Sequence, residues 1–185
     1  EKTFNVPAFE AKVLEVLARQ DSLLSIINSP AHNPTGYSLT DSEWDAVLDV
    51  LKGQANKGKR IALLVDIAYI DFAGDAEKCR EFMKKFSNLP ANMIVMLSVS
   101  MSKSFTLYGQ RTGAIIGISS DKEAIDEFKV AMDVTSRGTW SNINRSAMQI
   151  LATINEEKAL FDAVEKERAE FKELIEKRSA IFVNE

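Results

Sequence analysis

Cysteine is almost missing from this chain. Cys79 stands alone among 185 residues, which excludes an internal disulfide and any cysteine-based metal cluster, and agrees with a reducing compartment. Histidine is just as scarce. With His32 the only one, a histidine metal site or a Ser-His-Asp triad would depend on one side chain with no spacing to support it. His32 is therefore assigned a structural or supporting role beside Asn33. No apolar run approaches membrane-spanning length, and Glu1-Lys-Thr-Phe is not a secretory leader, so a cytoplasmic location is expected. The formal charge is −4, which offers no electrostatic case for nucleic acid or an acidic membrane as partner. The chain starts at Glu1 rather than Met, and both ends fall in ordinary folded-looking sequence. A fragment of a longer chain is expected.

What is present is globular. Hydrophobic residues make up 45% and charged residues 27%, enough for one core of ordinary size at this length. Short apolar runs alternate with amphipathic stretches. Helical spacing runs from Phe9 to Arg19, with Val13, Leu14 and Leu17 on one face. Leu23–Ile27, Ile61–Val65, Met93–Leu97 and Ala114–Ile118 read as strands. Thr40 and Glu43 form a capping box that opens a helix to Leu51, turning Trp44, Val47 and Leu48 inward. Glu77–Phe86 is expected to be helical. Ser120 and Glu123 are expected to form a second capping box, opening a helix towards Asp133. From Glu156 to about Ile181 the pattern is a long half-exposed helix, with Leu160, Ala163, Val164, Phe171, Leu174 and Ile175 in one stripe and with Asp162/Lys166 and Glu173/Lys177 as ion pairs.

This alternation implies an α/β sheet with helices on both faces. Such sheets bind ligands beyond the carboxyl ends of their strands. Asp66 ends one strand, Ser98–Lys103 leaves another, and Asn33-Pro-Thr-Gly is a turn shortly after a third. All three segments should reach the same edge.

Two motifs lead nowhere. Gly53-Gln-Ala-Asn-Lys-Gly-Lys-Arg60 lacks the Ser or Thr of a nucleotide-binding loop and precedes a strand instead of following one. Asn144-Arg-Ser is a formal glycosylation sequon with nothing else to suggest secretion.

The run Ser100-Met-Ser-Lys-Ser-Phe-Thr-Leu-Tyr-Gly-Gln-Arg111 is more informative. Lysine condenses with aldehydes, and the planar arginine fork suits phosphate oxygens. A small molecule carrying both groups would use both residues, and pyridoxal phosphate is one. Two upstream segments strengthen the case: His32-Asn-Pro-Thr-Gly36, and Ile61-Ala-Leu-Leu-Val-Asp66-Ile-Ala-Tyr69.

In that order, the three segments resemble the class I aminotransferases of fold type I, and Arg137-Gly-Thr-Trp-Ser-Asn142 is similar to their aspartate and aromatic amino acid branch. The resemblance spans nearly the whole chain, as the middle of a longer enzyme. It implies a mostly parallel sheet sandwiched by helices, the large domain of a pyridoxal-phosphate-dependent transferase, truncated at both ends. Residues 1–150 would be the core of the cofactor domain, and 151–185 a long helix leading towards a smaller domain.

The resemblance also implies roles. Lys103 would hold pyridoxal 5'-phosphate as a Schiff base and later move the substrate proton. Asp66 would pair with the pyridine nitrogen. Tyr69 and Asn33 would bond the phenolic oxygen, and Ser100 and Arg111 the phosphate, with help from Ser102. Tyr108 and Gly109 would shape the loop. Arg137 would clamp the distal carboxylate of a substrate in a neighbouring subunit, although Ile143-Asn144 stands where the family commonly has two prolines. The implied partners are an amino acid, a 2-oxo acid and a second copy of the chain; no metal is implied. A lyase or decarboxylase of the same fold, and a non-catalytic module descended from it, are the alternatives. The family's glycine-containing phosphate loop and ring-stacking aromatic would lie before Glu1. Its α-carboxylate arginine would lie after Glu185. These residues alone are therefore expected to bind cofactor weakly and not to turn over.

Overall fold

The computed structural model describes residues 3–184 and divides into two compact units, one ending at Asn142 and one beginning at Ile143. The first is built on a four-stranded sheet in the order β1-β2-β3-β4. Its strands are Ser22–Asn28, Arg60–Asp66, Met93–Ser100 and Gly113–Ile118. β1, β2 and β3 run parallel, and β4 returns antiparallel to β3. Each of the four apolar runs forms a strand, because Val, Ile and Leu pack well on a pleated surface and leave the backbone free to pair.

Alternation within the strands fixes where the core lies. Ile61, Leu63 and Val65 of β2 and Met93, Val95 and Leu97 of β3 are all buried. The register sets Leu63 beside Val95 and Val95 beside Ile118, so these side chains share one face. Helices α1 (Val6–Leu17) and α2 (Asp41–Ala55) cover that face. Trp44, Val47, Leu48 and Leu51 of α2 are essentially inaccessible. The Trp44 ring stacks on Phe82 with centroids 4.9 Å apart and meets the Phe86 edge at 5.8 Å. Each such side chain contributes about 1.5–3 kcal/mol by leaving water. The capping box forms as the sequence predicts: Glu43 N donates to Thr40 Oγ1 at 3.2 Å, and Thr40 N donates to the Glu43 carboxylate at 2.8 Å.

Helix α4 (Lys122–Thr139) packs on the opposite face, over β4. Gly117 is paired with Met96 and so points away from the Val95 side. A Cβ there would come within 2.8 Å of the Phe128 ring. Helices thus lie on both faces, but on the second face α4 covers β4 only around Gly117, and Ile115 of β4 and Leu24 and Ile26 of β1 are exposed.

Several local expectations change. Residues Lys78–Phe86 form a 3-10 helix. Helix α4 is capped by Asp121, not Ser120, and runs on to Thr139. The Ser119 hydroxyl donates to the Met93 carbonyl and accepts from Asp121 N, which anchors the chain one residue before the expected start. In the second unit, α5 (Arg145–Glu156) packs on α6 (Lys158–Asn184). Asn144 caps α5 by accepting from Ser146 N and Ala147 N, so the sequon asparagine has a structural use. Asp162 pairs with Lys158 instead of Lys166, which turns to Glu170; the Glu173–Lys177 pair forms as expected. An exposed lysine can reach four residues either way along a helix, so spacing alone does not choose between two carboxylates. Among the described residues, no helix is long and apolar enough to cross a membrane.

Candidate active site

The register places Asn28, Asp66 and Ser98 side by side at the carboxyl ends of the three parallel strands. The three segments singled out in the sequence leave from this edge. The turn after β1 is drawn back to it by Asn28, whose Oδ1 accepts from Asn33 N at 2.7 Å and whose Nδ2 donates to the Asp66 carbonyl at 3.0 Å. His32 stays within the turn, with Nδ1 2.8 Å from Thr35 Oγ1. The Asp66 carboxylate caps the next turn by accepting from Ala68 N at 3.0 Å. That turn leads directly to Tyr69.

The loop from β3 to β4 carries the rest. Ser100 ends β3 and precedes α3, a single turn over Met101–Ser104. Ser102 and Ser104 on that turn are buried, while Lys103 is half-buried and turned outward. Phe105 N and Leu107 N both donate to the Met101 carbonyl, which bends the chain back. Thr106 and Arg111 adopt positive φ, +54° and +51°. For a β-branched residue such as Thr106 this is a strained conformation that the surrounding bonds must hold.

These turns bring most of the predicted residues together. Asn33 Nδ2 donates to the Tyr69 phenol oxygen at 3.3 Å. Lys103 Nζ lies 5.3 Å from the Tyr69 ring centroid and 4.5 Å from that of Tyr108, with the Tyr108 hydroxyl 3.4 Å away. The phenols of Tyr69 and, second, Tyr108 hold the Lys103 ammonium above the ordinary lysine range, against a smaller opposing effect of burial. Arg111 Nη1 donates to the Tyr108 carbonyl at 2.9 Å and to Ser102 Oγ at 3.4 Å. Arg137 stands on the last turn of α4, where its guanidinium donates to the Ser141 carbonyl at 3.0 Å.

Two residues of this arrangement were not singled out as chemistry in the sequence. Asn28 falls just past the expected strand and carries no signal until the β1–β2 pairing sets it against Asp66. Tyr108 reads as loop structure until Thr106 reverses the chain. A groove of about 1010 Å³ runs along the free edge of β1 between Phe4, Phe9, Leu24, Ile26 and Tyr37 and reaches Asn28 and His32 at one end. It is a mostly apolar gap beside the outer edge of an edge strand. The amine, phenols and amide that meet around Lys103, with Arg111 bonded to the Tyr108 carbonyl, mark the candidate site better than the volume does.

The donor set has a definite chemical shape. An amine meets two phenols, one of them bonded by an amide; a hydroxyl–guanidinium pair stands on the same loop, and a carboxylate residue ends the adjacent strand. This fits a ligand with an aldehyde, a phenolic oxygen, a basic ring nitrogen and a phosphate, the groups of pyridoxal phosphate.

The fold is an α/β domain with a mostly parallel sheet whose strand ends carry the Asn33, Asp66 and Lys103 segments. The chain belongs to the family described as aminotransferase class I and II, whose model matches residues 4–184. An aspartate aminotransferase of Salmonella typhi is 32% identical over 95% of this chain and 43% of its own length. A tyrosine aminotransferase of Klebsiella pneumoniae is 31% identical over 86% of this chain and 38% of its own. Among solved structures, an aminotransferase from Anaerococcus prevotii superposes with a TM-score of 0.95 at 43% identity, covering 98% of this chain and 44% of that one. An aromatic-amino-acid aminotransferase from Burkholderia pseudomallei, covalently bound to pyridoxal phosphate, superposes at 0.74 with 26% identity over 94% of this chain and 43% of that one. The chain spans about two fifths of the length of these relatives.

Proposed function

We propose that these residues form the cofactor-binding core of a pyridoxal-phosphate-dependent aminotransferase that moves an amino group between aspartate or an aromatic amino acid and a 2-oxo acid. The observation that supports this is the meeting of Lys103 Nζ with the Tyr69 ring, whose phenol oxygen accepts from Asn33, on a loop that also carries the Ser102–Arg111 pair. When bound, the cofactor supplies an aldehyde that takes up amines and a ring that draws off the electrons of a breaking Cα–H bond.

The protein supplies the rest. Lys103 Nζ would hold the aldehyde and, when free, would take up the substrate Cα proton and deliver it on the far side of the bridging nitrogen. The ammonium held by the two phenols must lose its proton before either task. Asp66 keeps a proton on the ring nitrogen, which makes the ring a better electron acceptor. Asn33 and Tyr69 donate to the phenolic oxygen and stabilise its negative charge. Arg111 and Ser102, with Ser100, hold the phosphate and so fix the aldehyde relative to Nζ. Arg137 takes the distal carboxylate of the substrate across the interface of a homodimer.

A Schiff-base absorption band in the full-length gene product with pyridoxal phosphate, lost in Lys103→Ala, is the expected result. A band that survives the substitution unchanged would remove Lys103 from the centre of the site.

A further inference from the structure

We propose that Tyr108 is a positioning residue for Lys103, gripping its ammonium with the ring face and the hydroxyl together. The proposal rests on the cofactor function above and adds a second phenol to it. Nζ stands 4.5 Å from the Tyr108 centroid, closer than the 5.3 Å to Tyr69, and 3.4 Å from the Tyr108 hydroxyl. A cation over an aromatic face is attracted by the ring quadrupole, and a phenol oxygen accepts from an ammonium.

The backbone is shaped for this contact. Lys103 and Tyr108 are five residues apart, a spacing at which an α-helix would not stack them. They meet because the chain reverses at Thr106, in a conformation unfavourable for threonine. It is secured on one side by the two bonds to the Met101 carbonyl and on the other by Arg111, which bonds the carbonyl of Tyr108 itself. Tyr108 is nonetheless 55% exposed. A ring that open contributes little to a core, so the strain is not explained by packing.

Tyr108 therefore links the two halves of the site. Its side chain holds the amine, and its main chain holds the guanidinium assigned to the phosphate. Tyr69 approaches from the segment after β2, so the lysine is gripped from two separate elements. A long flexible lysine is confined in this way before any aldehyde arrives, which lowers the entropy lost when it reacts.

The test uses the full-length gene product and unphosphorylated pyridoxal, which carries the aldehyde without the phosphate. Condensation of Nζ with the aldehyde releases water. Borohydride then delivers hydride to the C=N bond and leaves a stable secondary amine, located by peptide mass. The rate of capture against pH has a midpoint that reports the Lys103 amine, and the titratable groups acting on that amine are Tyr69 and Tyr108. In Tyr108→Leu the midpoint should move to lower pH, with a smaller move in Tyr108→Phe, which keeps the ring and loses the hydroxyl. Should the leucine variant fail to fold, the phenylalanine variant still reports. Folded variants with the wild-type midpoint overturn the role of Tyr108 while leaving Lys103 as the reactive amine. Capture that is equal in Lys103→Ala overturns the cofactor function and the role of Tyr108 with it.

Discussion

Asn33 and Tyr69 are hydrogen-bonded side chain to side chain at 3.3 Å, although 36 positions separate them in the chain. Asn33 is carried by a turn that Asn28 ties to β2, and Tyr69 by the turn that β2 enters through Asp66. If both donate to one ligand oxygen, they act as a unit. Asn33→Ala and Tyr69→Phe should each weaken pyridoxal phosphate binding by about fivefold, the value of a hydrogen bond of about 1 kcal/mol. The double variant should lose less than the product of the two. Binding titrations that multiply cleanly would show that the two residues serve different parts of the ligand.

Arg111 separates charge from shape. Its fork already donates to Ser102 and to the Tyr108 carbonyl. Arg111→Lys keeps the positive charge and loses the planar pair of donors, so the affinity for pyridoxal phosphate should fall by roughly tenfold. Affinity for pyridoxal, which has no phosphate, should stay near wild type. Equal losses for the two ligands would mean that Arg111 supports the loop and does not meet the phosphate.

Acid should loosen the α2 end of the molecule early. Burial pushes the Glu43 carboxyl up, but bonds from the Tyr37 hydroxyl, the Phe4 amide and Thr40 outweigh it and hold the group at about 2. A carboxyl depressed on folding contributes stability that is fully present above its unfolded value near 4.5 and is lost as pH falls towards 2. Glu43→Gln should therefore lower the melting temperature at pH 7, and the gap from wild type should narrow between pH 4.5 and pH 2. A constant gap across that range would remove the carboxylate as its cause.

Gly113 begins β4 opposite Ser100. A Cβ there would lie 2.7 Å from the Val99 carbonyl oxygen, a backbone atom that cannot swing aside. Gly113→Ala should destabilise by about 1–3 kcal/mol, as overpacking does. Because the strand pair frames the Lys103 loop, cofactor binding should weaken too. Chemical denaturation checks the first effect, and an unchanged midpoint would show that the two strands can part without loss.

Much of the fold is legible in the sequence because its signals are local. The β2 and β3 runs are apolar and bounded by turns, and the Thr40–Glu43 box with Trp44, Val47, Leu48 and Leu51 marks α2 by spacing alone. Lys103, Asp66, Tyr69, Asn33 and Arg111 stand out by residue type and order. What stayed hidden depends on distance in space. Asp121 displaces Ser120 as the cap of α4 because Ser119 is bound to Met93, 26 residues earlier. Asp162 chooses Lys158 over Lys166 because both lie within reach and only side-chain placement decides.

By itself, then, the sequence determined which groups are available: one amine, one strand-end carboxylate, a phenol, an amide and a guanidinium, in a fixed order along an α/β chain. These follow from covalent identity and short-range periodicity. Only tertiary structure decided which of them meet. Parallel pairing sets Asn28 against Asp66, and the reversal at Thr106 lays Tyr108 over Lys103. The first rests on strand pairing across 38 positions, and the second on an irregular turn held by the Met101 carbonyl and by Arg111; neither is a periodic pattern of neighbouring letters.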